Sequence, residues 1–360
     1  QPNVAAAFRA DPDVQIARLV EPVLFDEWQA VPEVMGAIKR SVDRDYRPGR
    51  FLLTGSVRAA VDPNAWPATG RIASMHLGPM TERELAGCPV GSVFDRIRAD
   101  EISNPTESVN LEQYVMRACR GGFPQAALAD DLATSNLILD GYTQQLLVND
   151  ARADSSRRDS QRLRQFVTAM ASNSSGIYEN KFLNETAKIN NVTAQSYESL
   201  FIDLGIVERV GAWSTNQVER ITSMPKRLIA DSGLMSRLLH VQPSDVLLDS
   251  TMLGRVIETF VLNQLLAELH ATDRRDHAFH LRTEKGRQEI DLVVETDDQK
   301  IIAIEVKAQS APSRDAAKHL IWLQQRLGDK FEVGVVFHTG PLSYQLADKI
   351  WAHPISTIWS

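Results

Sequence analysis

Apolar residues in this chain come in short runs that stop at acids, hydroxyls or glycines. Val23 to Phe25 form one such run, and Asp26 and Glu27 follow at once. Beyond Pro32, the residues Val34, Ile38 and Val42 recur at helical spacing and predict a helix with Pro32 in its first turn. A second apolar run, Phe51 to Leu53, ends at Thr54, Gly55 and Ser56. Strand, helix and apolar strand in this order predict a βαβ unit, whose strands belong to a buried parallel sheet. Polar residues at the carboxyl ends of such strands are where ligands sit. Asp26 and Glu27 are then either a solvated turn or a pair poised at a nucleotide phosphate.

Residues 80 to 150 read as helices. In TERELAG, Thr81 and Glu84 have the spacing of a capping box, and CRGGFPQA breaks the helical pattern at Gly121, Gly122 and Pro124. From 163 to 210 the pattern predicts two short helices, a longer one with Tyr197, Leu200, Phe201 and Leu204, and then a β segment, which is the order of a winged helix. The segment GAWSTNQVERITSMPKRLIADSGL would supply the wing. The candidate recognition helix carries Glu198 and Asp203 and no base, which weakens a role in reading DNA.

The final third alternates strands and helices. In EIDLVVE, alternation puts Ile290, Leu292 and Val294 on one face and Glu289, Asp291 and Val293 on the other; in IIAIEVK, Ile302, Ile304 and Val306 oppose Ala303, Glu305 and Lys307. One face is expected to be core and the other ionic. A hairpin closing symmetrically around Asp298 places Asp291 opposite Glu305, with side chains roughly 5 Å apart. Two carboxylates so placed repel unless a cation lies between them. A hard cation held by these oxygens, with the Lys307 ammonium beside the attacking water, is what metal-dependent phosphodiester cleavage requires. Glu258, on the preceding helix, is a further oxygen donor.

Composition narrows the classes. The 360 residues, 43% of them hydrophobic, are enough for two or three domains with real cores. Cys88 and Cys119 lack metal-ligand spacing and favour a reducing cytoplasm, and the apolar runs are too short to span a membrane. A net charge of −7 argues against a surface that clamps DNA throughout. It leaves room for a local basic patch at Arg152, Arg157, Arg158, Arg162 and Arg164, which reads first as a solvated helix entry and second as a phosphate-contacting surface.

Glu258, Asp291 and the E-x-K of Glu305, Val306 and Lys307, with the helix and strand that follow, resemble the PD-(D/E)xK restriction-endonuclease-like fold. The front of the chain, VLFDEWQAVPEVMGAIKRSVD, GRFLLTGSV and TGRIASMHLGPMTERELAG, looks like prokaryotic ATPases of the AAA superfamily, in which an AAA domain is joined to a poorly understood region ending in that same fold. The resemblance implies an α/β chain with four parts: 1–85, the C-terminal part of an AAA-type P-loop ATPase core; 86–155, a helical region; 156–244, a winged-helix-like region; and 245–360, the nuclease-like domain. It implies ATP and Mg2+ as cofactors, Asp26 and Glu27 as Walker B acids with Asp26 toward the metal, Thr54 or Ser56 as sensor, and Arg71 as a basic residue that approaches the γ-phosphate from this subunit or a neighbour. Glu258, Asp291 and Glu305 would hold metal, and Lys307 would be catalytic.

One departure stands out: no G-x-x-x-x-G-K-[ST] occurs in the sequence. With Gln as the first residue, the expectation is that the phosphate loop lies upstream and that these residues bind ATP weakly or not at all. The leading expectation is a cytoplasmic ATP hydrolase coupled to a nuclease-like domain, with nucleic acid, a protein and further copies of the chain as candidate partners and no membrane association. The alternative is a nucleotide-responsive scaffold whose nuclease-like domain is inactive.

Overall fold

The computed structural model describes residues 2–55, 71–73, 75, 77–88, 91–105, 108–152, 160–272, 274–283 and 286–360. The chain divides into two compact units, Gln1–Met75 with Asp203–Gly205, and His76–Ile202 with Ile206–Ser360.

In the first unit, strands β1 (Val23–Phe25) and β2 (Phe51–Leu53) pair in parallel, Val23 beside Phe51 and Phe25 beside Leu53. The helix between them, Glu33–Arg44, follows Pro32 as the spacing predicts. Its Val34, Ala37 and Ile38 join Ile16 in a core against which Phe8, Phe25, Val42, Phe51 and Leu53 pack. The expectation of strands buried on both faces is corrected here. Leu24 and Leu52 point away from that core and are 59% and 54% exposed. Successive strand side chains alternate between faces, and among the described residues of this unit helices cover one of them.

Among the described residues, the second unit holds an eight-stranded sheet in the order β4-β3-β5-β6-β7-β8-β10-β9. Its strands are β3 (Val207–Ala212), β4 (Lys226–Ile229), β5 (His277–Arg282), β6 (Glu289–Glu295), β7 (Ile301–Lys307), β8 (Phe331–His338), β9 (Tyr344–Ala347) and β10 (Ile350–Pro354). Helix Ser250–His270 packs on β5 and β7, and helix Lys318–Leu327 packs on β6, β7 and β8. The expected division of the hairpin into a core face and an ionic face is also corrected. Val293 and Ala303, on the supposed ionic face, are fully buried in a cluster with Leu320 and Leu323. Alternation reports residue type along a strand and cannot report that a sheet is layered on both sides.

The helices expected before the wing form at Ser160–Ser172, Asn180–Ala187 and Asn191–Asp203. The strands expected to form a wing do not stand alone. After β3 pairs with β4, its last residues, Gly211 and Ala212, pair in parallel with Phe279 and His280 of β5. β3 and β4 thereby extend the sheet that carries the hairpin, which satisfies an edge otherwise open to pairing.

Candidate functional site

The parallel register of β1 and β2 brings their carboxyl ends side by side. Thr54 N–H donates to the carbonyl of Phe25 at 3.0 Å, and Trp28 N–H donates to the carbonyl of Thr54 at 3.3 Å, so the turn after β1 is fastened to the end of β2. Thr54 Oγ1 lies 2.7 Å from Asp26 Oδ1. Glu27 adopts a left-handed backbone with φ of 51° and accepts a hydrogen bond from the Gln29 amide. Both acids are exposed. The structure thus gathers Asp26, Glu27 and Thr54 into one solvent-facing corner. Arg71 instead pairs with Asp43, Nε to Oδ1 at 2.6 Å, and Ser56 lies outside the described residues. An exposed carboxylate at a parallel strand terminus, held by a hydroxyl, fits a magnesium ion that keeps its water shell. Asp26 would be its ligand in that case.

The hairpin register runs as the spacing predicts. Leu292 pairs with Ile304 and Val293 with Ala303, so one step further Asp291 lies across from Glu305. The cation beside these acids belongs to the protein. Lys226, at the start of β4 and fully buried, places its Nζ 2.7 Å from Glu258 Oε1 and 3.2 Å from Asp291 Oδ1. The other oxygen of Asp291 accepts the Val306 N–H at 2.9 Å. Glu305 Oε2 accepts from Lys307 Nζ at 2.6 Å, while the buried Glu305 Oε1 has no hydrogen-bond partner among the described residues.

Electrostatics follow from this division of three carboxyls between two ammoniums. Burial penalises the charge on Asp291, but Lys226, Lys307 and the Val306 N–H outweigh it and hold the carboxyl below its usual range. Burial and the neighbouring Asp291 charge push Glu258 up to about 7 and Glu305 up to about 8. Lys226 is raised, because Glu258 and Asp291 outweigh the cost of burying it. At neutral pH the cluster is close to self-neutralised. Among the described residues, no group of three or more His, Cys, Asp or Glu side chains is disposed to hold a metal ion. A divalent cation therefore does not fit the hairpin acids as they stand.

Lys226 escaped the sequence reading because its partners lie 32 and 65 residues away. A signal was present: the buried strand KRLI opens on two adjacent cations, and buried cations need partners. The second of them, Arg227, is equally committed. Its Nε is 2.7 Å from Oε1 of Glu198, on the candidate recognition helix, where Tyr197, Leu200 and Phe201 are buried too. Glu198 is thus an internal acid and not part of a surface facing DNA. In the basic patch, Arg157 and Arg158 lie outside the described residues, and Arg164 lines a cavity of about 180 Å3 with Asp140, Arg237 and His240.

Comparison with known proteins adds the following. Residues 5–86 match the family model described as an AAA domain, residues 111–245 match a domain of unknown function (DUF8612), and residues 253–358 match another (DUF4143). Uncharacterized proteins of Mycobacterium bovis and Mycobacterium tuberculosis are each 27% identical to this chain over 359 residues, which are 99% of the chain and 73% of the relative. Together these matches support an AAA-type ATPase family. No helix among the described residues is long and apolar enough to cross a membrane.

Proposed function

We propose that this chain belongs to an AAA-type ATPase in which the C-terminal α/β unit is a restriction-endonuclease-like module used for binding or regulation and not for cutting. In this reading Asp26 and Glu27 are the Walker B acids and Thr54 the sensor, and the nucleotide state of the first unit alters how the second meets a nucleic acid or protein partner. The observation that carries the reading is the closing of Glu258 and Asp291 on the buried Lys226. A nuclease site needs uncompensated carboxylates to hold its cation. Here each carboxylate is neutralised by a lysine or by burial.

The test is cleavage. The chain is incubated with supercoiled DNA and with structured RNA in Mn2+ or Mg2+, beside Asp291→Ala and Glu305→Ala versions. No cutting by any of them is expected. Metal-dependent cutting by the parent chain that disappears in both variants overturns the proposal and makes the second unit a nuclease.

A further inference from the structure

We infer that the cavity between helices Leu132–Arg152, Ser160–Ser172 and Ser232–Leu238 is a binding site for a small phosphate monoester, seated on Arg164 and Arg237. The inference is independent of the reading above, because none of its residues belongs to the strand-end corner or to the hairpin.

Helical spacing builds the site. Asp140 and Thr143 share a face of the first helix, and Arg164 and Thr168 share a face of the second, by the three- and four-residue periods that bring side chains together. Arg237 comes from the last turn of the third helix, and His240 follows it on a left-handed backbone with φ of 56°. These six side chains line about 180 Å3, the volume of roughly six waters.

The charges there do not balance. Two guanidiniums line the cavity beside one carboxylate. Asp140 takes the Nε and Nη2 edge of Arg237, both at 2.9 Å, and fixes a side chain that is only 11% exposed. The Arg237 Nη1, the Arg164 guanidinium and the Thr168 hydroxyl have no hydrogen-bond partner among the described residues. An oriented guanidinium with N–H groups to spare, a second guanidinium and a hydroxyl form a donor set for phosphoryl oxygens, which arginine engages in a bidentate manner. Thr143 Oγ1 donates to the Leu139 carbonyl at 2.8 Å, so toward a ligand it can only accept. With Asp140 it offers acceptors to hydroxyl groups, and the set as a whole suits a phosphate monoester of a small polyhydroxylated compound. A phosphate within a nucleic-acid strand is flanked by two esterified sugars and would have to bring both into the same space. Arg164 is also the member of the basic patch that reaches this cavity, which gives that patch a small-molecule ligand.

The experiment adds ribose 5-phosphate, ribose or a 5′-phosphorylated oligothymidylate to the parent chain, Arg164→Gln and Arg162→Gln, reading melting temperature and heat of binding. The expected result is saturable binding of ribose 5-phosphate by the parent with a raised melting temperature, no binding of ribose, and affinity about tenfold or more weaker in Arg164→Gln. Arg162 does not line the cavity, and Arg162→Gln should bind as the parent does. Arg164 is exposed, so circular dichroism of Arg164→Gln should match the parent. If it does not, Thr168→Val replaces it, with a several-fold loss expected and an unchanged affinity overturning the inference. No saturable binding of ribose 5-phosphate, equal affinity in a folded Arg164→Gln, or an equal loss in Arg162→Gln overturns it, the last by spreading the contact over the basic surface. Binding of the oligonucleotide without binding of ribose 5-phosphate overturns it as well and makes the patch a nucleic-acid contact.

Discussion

Arg227 and Glu198 form an ion pair in the interior of the second unit, Nε to Oε1 at 2.7 Å and Nη2 to Oε2 at 3.3 Å, fastening β4 to helix Asn191–Asp203. The guanidinium also donates to the Tyr178 carbonyl and to Asn180 Oδ1, so its hydrogen-bonding capacity is well used. Breaking such a pair strands a buried charge. Arg227→Ala is expected to cost about 3 kcal/mol or more of stability. Urea unfolding measures it, and a loss below about 1 kcal/mol would place the pair with exposed ion pairs of little worth.

Glu305 is one contributor to the pH dependence of stability, beside Glu208 and Glu258, which burial also pushes up. Burial and the neighbouring Asp291 charge push the Glu305 carboxyl up to about 8 from the usual 4.5 of a glutamate, so between these values the folded state retains a proton that the unfolded state has released. This contribution is fully present below pH 4.5 and is lost as pH rises through 8. Glu305→Gln, which cannot ionise, should therefore raise the melting temperature relative to the parent at pH 8 and change it little at pH 5. Parallel thermal melts across that range check the sign. An equal shift at both pH values would show that the carboxyl does not titrate there.

The turn after helix Leu111–Arg120 has no room for a side chain. A Cβ at Gly122 would stand 2.1 Å from the Met80 carbonyl oxygen, and one at Gly121, where φ is 70°, would stand 2.3 Å from Asp231 Oδ1. Gly122→Ala is expected to destabilise the second unit by about 3 kcal/mol, because the obstructing atom is backbone. Limited proteolysis and thermal melting report it.

Nucleotide binding supplies the fourth prediction. No G-x-x-x-x-G-K-[ST] occurs in the sequence, so the motif that cradles β and γ phosphates does not accompany Asp26, Glu27 and Thr54 within it. Fluorescent ATP should show weak or no saturable binding to these 360 residues, with or without Mg2+. Tight binding that Asp26→Ala abolishes would mean that another element of the chain holds the phosphates.

The sequence by itself determined what is local. Pro32 and the spacing of Val34, Ile38 and Val42 gave the helix between β1 and β2; Thr81 and Glu84 gave a capping box that the structure contains. The symmetry of the hairpin about Asp298 gave the register that sets Asp291 across from Glu305. These features depend on neighbours in the chain and on fixed periods, both readable in one dimension. Only the tertiary structure decided which cation answers the hairpin acids, because Lys226 meets Asp291 through a sheet that joins β4, β3, β5 and β6 across 65 positions of sequence. It also decided that Glu198 is internal and that both faces of β6 and β7 are covered. Long-range pairing and layering set the charge balance of a buried site, and neither leaves a periodic trace along the chain.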